Sequence, residues 1–181
     1  MIPERRTFVP RNYIYVFSYD ADLEMSREEI GFVPGGVRIN VFAKPNETRV
    51  YHALGETTVL ENKALSGTIV WGGDWATVRE DDVGQLDVKL TIRTDDGETI
   101  DMTYRGIFPA GPRGFRKLVT EKPMLGTENK PFEGMVYTAP WFDTVSPKYR
   151  WLTERQCVGI GKITVVDSAI RRVSFDVYAM D

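Results

Sequence analysis

The side chains of this sequence that could do chemistry are carboxylates, arginines and phenols, and several fall on alternating segments that would aim them in a common direction. Arg38 and Asn40 share a face of Val37–Phe42 (VRINVF), because residues two apart on a strand point the same way. An arginine directed inward needs a partner, and its planar fork matches a substrate carboxylate; directed outward it is a solvated charge. Asp74 and Trp75 follow Gly72 and Gly73, glycines that permit a tight turn and could set a carboxylate and an indole at a rim. The plainer reading is a turn aspartate capping nearby amides. Asp87 and Arg93 alternate with Leu86, Val88, Leu90 and Ile92. Facing inward they would form a buried charged pair or do acid–base work; facing outward they would be solvated, and periodicity leaves the choice open. Tyr15, Tyr19, Tyr104 and Tyr137 lie on different segments, as convergence on one cavity requires. A phenol donates to a carboxylate or phenolate and stacks on aromatic ligands, although it also serves as an amphipathic core filler. Trp141 and Trp151 read first as packing residues, with Trp151 a further candidate for ligand contact.

Absences narrow the chemistry. His52 is the only histidine and Cys157 the only cysteine, which excludes multi-histidine and cysteine-rich metal sites and any intrachain disulfide. No phosphate-cradling glycine loop, dinucleotide fingerprint or nucleophile elbow occurs. A serine triad would have to recruit His52, whose neighbours carry no signature, and Cys157 reads as a small buried hydrophobe. An enzyme built from this chain would use carboxylates, tyrosines and arginines, without metal or cofactor. A net charge of −3 with no basic stripe argues against nucleic acid. The apolar runs are too short to span a bilayer. Residues 1–12 (MIPERRTFVPRN) lack the apolar stretch of a secretory signal. The expectation is a reduced, cytoplasmic protein, with a homodimer as the default assembly.

Strands must position these groups. The 181 residues, 42% of them hydrophobic, suit one domain with a filled core. Period-two alternation marks strands at Tyr13–Tyr19, Val37–Phe42, Arg49–Leu54, Ser66–Trp71, Gln85–Thr94, Thr99–Arg105, Val136–Phe142, Gln156–Ile163 and Arg172–Ala179. Asp95-Asp96-Gly97 reads as a hairpin turn. Such regular spacing predicts an all-β fold, a barrel or a sandwich, preceded by an extension over residues 1–12. Helix is confined to one turn at Ser26–Glu29, which has capping-box spacing, and a short piece at Gly114–Glu121. Phe108–Gly134, rich in proline and glycine, is a long loop of the kind that forms lids or plain surface excursions.

The run from Gly72 to Ile100, GGDWATVREDDVGQLDVKLTIRTDDGETI, resembles the core of the family called domain of unknown function 3237. Asp74, Trp75, Arg79, Leu86, Asp87, Thr94, Asp95, Asp96 and Gly97 match its pattern in order. Gly36-Val37-Arg38 is similar to the family's Gly-x-Arg, Tyr137–Thr144 to its aromatic, proline-containing segment, and Tyr149–Leu152, followed by Val158–Gly161, to its Tyr-x-Trp-Leu region. The likeness runs from about Tyr13 to the C-terminus. Thr153 stands where asparagine is common, and residues 20–64 and 108–134 diverge, which bears on substrate choice more than on fold. The resemblance implies a closed antiparallel β-barrel, allene oxide cyclase-like or lipocalin-like, with a ligand cavity at its mouth. It also implies, through a few members, cofactor-independent decarboxylation of lignin-derived aromatic acids.

These strands of inference meet in one expectation, a lyase that decarboxylates a phenolic, cinnamate-like acid. Arg38 would hold the carboxylate, Tyr15 and Tyr137 would handle the phenol, and Asp74 or Asp87 would carry the proton. Tyr19, Trp75, Arg93, Tyr104 and Trp151 would shape the ligand site. An isomerase or cyclase would use the same parts, and a non-catalytic barrel would need only the cavity, to carry or sense a small aromatic or apolar acid.

Overall fold

Alternation along the chain becomes a closed wall of strands in the computed structural model, which describes residues 13–52, 64–119, 126–167 and 169–180. The described elements are β1 (Tyr13–Val33), β2 (Gly36–Ala43), β3 (Thr48–Tyr51), β4 (Gly67–Arg79), β5 (Val83–Thr94), β6 (Thr99–Pro109), α1 (Gly114–Val119), β7 (Phe132–Asp143), β8 (Cys157–Val166) and β9 (Ala169–Met180). From β4 to β9 each strand pairs antiparallel with the next. The last strand then returns to the first, from Tyr13↔Met180 to Asp22↔Arg172. Between β1 and β4, two strands share one position. The later half of β1 pairs with β2, which pairs in turn with β4 from Arg79 to Gly73; the short β3 fills the remainder through Ser18↔Tyr51 and Thr48↔Ile69. The outcome is an eight-strand antiparallel barrel. Closure pairs the edges that an open sheet would leave as unsatisfied N–H and C=O groups.

The pleat fills the interior. Leu86, Val88, Leu90, Ile92 and Thr94 of β5 are buried while Gln85, Lys89 and Arg93 are exposed. Ile100, Met102, Tyr104 and Phe108 of β6 and Val136, Thr138 and Phe142 of β7 complete the inner layers on that side. Removing these apolar side chains from water is the main drive for closure. Cys157 belongs to the same core, and burial pushes its thiol up to about 11.

Segments outside the strands are fastened to both ends of the barrel. A 3-10 helix at Arg150–Glu154 buries Trp151 and Leu152, with Tyr149 before it. The Thr-Asp-Asp-Gly turn holds this plug in place. Thr94 Oγ donates to Asp96 at 2.6 Å and accepts the Glu98 N–H at 2.8 Å; Asp96 also accepts from Lys148 Nζ at 2.6 Å and the Tyr149 hydroxyl at 3.1 Å. Asp95 takes both prongs of the Arg49 guanidinium at 2.8 Å. The bond from Lys148, with those from Thr94 and Tyr149, holds the Asp96 carboxyl down at about 2. At the opposite end, Asp82 of the β4–β5 turn accepts the N–H groups of Arg113 and Phe115 at 2.9 Å each. The Asp167 N–H meets Gly126 O at 3.2 Å. The described part of the Phe108–Gly134 excursion therefore lies over the end formed by the β4–β5 and β8–β9 turns.

Two local expectations are corrected. Ser26–Glu29 is not a helical turn but part of β1, which pairs Glu28↔Asn40 and Glu29↔Ile39 and bulges on both sides of those pairs. Ladder bonds to β2 outweigh a single helical turn, whose nucleation is unfavourable. Gly72-Gly73-Asp74-Trp75 is likewise no turn; it lies within β4. Gly72 stands at φ 144°, and a Cβ there would meet the Lys89 carbonyl oxygen at 2.3 Å; one at Gly73 would meet the Phe42 ring at 2.7 Å. The glycines admit close strand approach beside the bulge between Ile69 and Trp71. Gly72→Ala is accordingly expected to destabilise the barrel by ~1–3 kcal/mol. Thermal unfolding would read this as a fall of roughly 2–4 °C per kcal/mol, and an unchanged midpoint would refute the close-approach account.

Candidate functional site

Strand alternation divides the candidate side chains between the two faces of the wall. Tyr19 on β1, Asp74 on β4 and Tyr104 on β6 point inward. They line a common cavity of ≈ 50 Å³ whose other walls are mainly aliphatic, among them Val41, Ile69, Leu86, Leu90 and Ile163. Tyr19 stacks on Phe175 at 5.4 Å, and its hydroxyl lies 2.8 Å from that of Tyr104. Asp74 sits opposite Val41 on one side and Val88 on the other. Leu23, Ile170 and Val173, only partly buried, also line it.

The backbone explains how a carboxyl is held there. The β4–β5 ladder pairs Asp74↔Val88 and resumes at Thr77↔Gln85, passing over Trp75 and Ala76. Side chains take over at the break. The Asp74 carboxyl accepts the Asp87 N–H at 2.9 Å, and Arg38 Nη1 donates to the Trp75 carbonyl at 3.1 Å. Main-chain groups that would otherwise be orphaned are thereby satisfied. Burial lifts the Asp74 carboxyl to about 7, with the Asp87 charge adding to the rise, while the Asp87 N–H and the Arg38 charge pull the other way. Burial raises both phenols well above the usual tyrosine range; Tyr19 adds to the rise at Tyr104 and Tyr104 offsets part of it at Tyr19, while the negative charge of Asp74 adds to both. Tyr19 and Tyr104 are therefore neutral hydrogen-bonding groups at pH 7, and Asp74 is the member of the trio that can exchange a proton there.

Arg38, Trp75, Asp87 and Tyr137 lie on the opposite face. With Thr77, Gln85, Arg105 and Ile107 they line a groove of ≈ 540 Å³ on the outside of the wall. One outward row runs Arg38↔Thr77↔Gln85↔Ile107↔Tyr137 across five strands, and Asp87↔Arg105↔Ala139 forms the next. The orientation that periodicity left open on β5 is thus decided: Asp87 and Arg93 face outward. Arg105 was missed by sequence reasoning, yet counting back through the hairpin from Asp95-Asp96-Gly97 places it directly opposite Asp87.

The remaining candidates lie elsewhere. A bulge between Tyr15 and Phe17 puts Tyr15 out of phase with the inward row. It is buried edge-on to Tyr178 and His52, with its hydroxyl 2.7 Å from Ser18 Oγ, which donates to Asp176 at 2.5 Å. Arg93 is exposed and donates to Gly97 O at 3.5 Å. Trp151 belongs to the plug. The residues nominated from sequence thus form two groups separated by the barrel wall, with three members outside both. Among the described residues, no group of three or more His, Cys, Asp or Glu could hold a metal, and no helix is long and apolar enough to cross a membrane.

A closed antiparallel barrel with a carboxyl and a phenol pair set into an apolar interior is the class of protein that this geometry defines. The chain belongs to the family described as protein of unknown function DUF3237, whose model matches residues 26–180. It is 28% identical over 101 residues to UPF0311 protein RPA1785 of Rhodopseudomonas palustris, covering 55% of this chain and 63% of that one. The crystal structure of RPA1785 superposes with a TM-score of 0.67 at 24% identity, over 94% of this chain and 97% of its own. A protein of unknown function from Clostridium acetobutylicum gives 0.70 at 22% identity, over 94% and 99%. An enzyme from Penicillium herquei gives 0.59 at 18%, over 99% and 100%. These likenesses show the barrel.

The raised Asp74 carboxyl has a thermodynamic consequence. Its folded value of about 7 lies above the unfolded ~3.9, so the stability contributed by its bound proton is complete below the unfolded value and lost as pH rises through the folded one. Asp74→Asn retains an acceptor for the Asp87 N–H and removes the titration. Between pH 4 and pH 8 the wild type should lose on the order of 2–4 kcal/mol relative to this variant in urea unfolding. Parallel pH profiles would show that Asp74 remains ionised in the fold.

Proposed function

We propose that this protein is a cofactor-free acid–base enzyme, a lyase that decarboxylates a phenolic aromatic acid with Asp74 as its proton carrier. One observation carries the reading: a carboxyl poised near neutrality, on an apolar inner wall, beside a hydrogen-bonded pair of neutral phenols. Strongly perturbed carboxyls in such surroundings are the usual mark of acid–base work.

The cavity of ≈ 50 Å³ admits only the functional-group end of a ligand, so the aromatic body would lie against the partly buried Leu23, Ile170 and Val173. In the Tyr19–Tyr104 pair one hydroxyl donates to the other, which leaves one O–H for an oxygen of the bound carboxylate. An apolar wall disfavours that carboxylate relative to neutral carbon dioxide. Charge from the ionised phenol of the substrate flows through the ring and side chain to the carbon bearing the carboxylate, and protonated Asp74 delivers its proton there. The resulting quinone methide breaks its bond to the carboxyl carbon. That electron pair restores the phenolate, carbon dioxide leaves, and Asp74 regains its proton from water. Arg38 lies across the wall and steadies the Trp75 carbonyl, so it takes no part in holding this carboxylate. The Penicillium herquei structure is described as an enzyme, which is in keeping with a catalytic barrel.

Incubation with a panel of hydroxycinnamates and lignin-derived acids, followed by mass spectrometry, should reveal the loss of one carbon dioxide from at least one member. Asp74→Asn should lower that turnover by about 10²–10⁴-fold, and Tyr104→Phe by roughly tenfold. Undiminished turnover in Asp74→Asn would refute the assignment. Saturable binding with no turnover across the panel would make the protein a carrier instead.

A further inference from the structure

We propose that the outer groove is a second small-molecule site, separate from the interior cavity, and that it binds an aromatic monocarboxylate. Its volume of ≈ 540 Å³ falls within the ~300–1,000 Å³ of small-molecule sites. The charged residues of its lining are two arginines, Arg38 and Arg105, against one carboxylate, Asp87, so the excess is positive. Arg38 belongs to β2 and Arg105 to β6, with β4 and β5 between. Three strand spacings, about 14 Å, separate their backbones, so the two long side chains can close on one carboxylate from either side.

The two are prepared differently. Nη1 of Arg38 is anchored on the Trp75 carbonyl, which fixes the side chain and leaves its other N–H groups for a ligand. The Arg105 guanidinium makes no hydrogen bond or ion pair among the described residues and is exposed, so it can swing onto an anion. A carboxylate suits the planar fork of either arginine. The walls favour a flat, apolar body. Ile107 and Tyr137 stand at directly paired positions, 52% and 53% exposed, and offer an aliphatic and an aromatic surface side by side. The Trp75 indole is steadied by an edge contact with Phe42, with ring centroids 6.1 Å apart. Asp87, opposite Arg105, repels a second anionic charge and would accept a hydroxyl hydrogen, which selects a monoanion and favours a hydroxylated ring.

Isothermal titration of the full chain with benzoate, 4-hydroxybenzoate, cyclohexanecarboxylate and inorganic phosphate tests this site. Expected are saturable binding of the two benzoates, tighter for the hydroxylated one, and weaker binding of the non-aromatic acid and of phosphate. Arg105→Gln, whose side chain supports no described contact, should weaken benzoate at least ~10-fold, and Arg38→Gln should do the same. Tyr19→Phe, which alters the interior cavity from β1, a strand that contributes nothing to the groove lining, should leave benzoate affinity within about twofold. Absence of saturable binding would overturn the proposal, as would affinity that survives Arg105→Gln. Loss of binding in Tyr19→Phe alone would place the ligand inside the barrel, and phosphate binding as tight as benzoate would reduce the groove to a patch of charge. The groove prediction stands or falls separately from decarboxylation, because its readout is binding and its variants lie outside the wall.

Discussion

Closure of the sheet between β1 and β9 governs where every strand side chain of this protein can go. Once the wall is continuous, a strand side chain has two directions available, into the core or away from it, and neighbours in sequence must take opposite ones. Asp74 and Trp75 illustrate the consequence. They are adjacent, yet one lines the interior cavity and the other the exterior groove. A motif that looks like one site in the sequence is therefore two sites in space, separated by the thickness of a single strand.

The wall also explains why a carboxyl can be tolerated inside. An isolated charge in this aliphatic setting would be costly, and three features reduce that cost. The Asp87 N–H binds Asp74 directly, Arg38 supplies a positive charge from the far side, and the carboxyl can hold a proton near neutrality. The first two exist because the β4–β5 ladder is interrupted at Trp75 and Ala76. A continuous ladder would have engaged the same backbone groups and left no main-chain donor for the carboxyl. The break is thus a structural arrangement with chemical effect, and it couples the two faces through one peptide segment.

The Thr-Asp-Asp-Gly run has a different role from the Gly-Gly-Asp-Trp run, although both mark the family. Its carboxylates bind Arg49 from β3 and Lys148 and Tyr149 from the plug. They tie three distant segments together at one end of the barrel, remote from the Asp74 cavity. The excursion after β6 is similarly fastened at the other end, by Asp82. Both ends of the wall are held by aspartates that accept local N–H or O–H donors, a use of short acidic side chains that turns favour generally.

The all-β character, the positions of most strands, the hairpin at Asp95–Gly97 and the residue types available for chemistry are legible in the order of the amino acids. Each of these follows from local rules: alternation, turn propensity and the inventory of side chains. Orientation and convergence, by contrast, are set by how the strands pair and pack. Nothing local told Asp87 to face outward, put Tyr15 out of phase through a bulge, or drew Ser26–Glu29 into a strand by pairing it with β2. Nor did local pattern reveal that Gly72 and Gly73 admit neighbouring strands instead of making a turn. Those outcomes depend on which strand lies alongside and in what register, and a bulge of one residue reverses every face that follows it. Asp74, Tyr19 and Tyr104 were legible as candidates one at a time; their meeting required β1, β4 and β6 to face one another across a closed barrel.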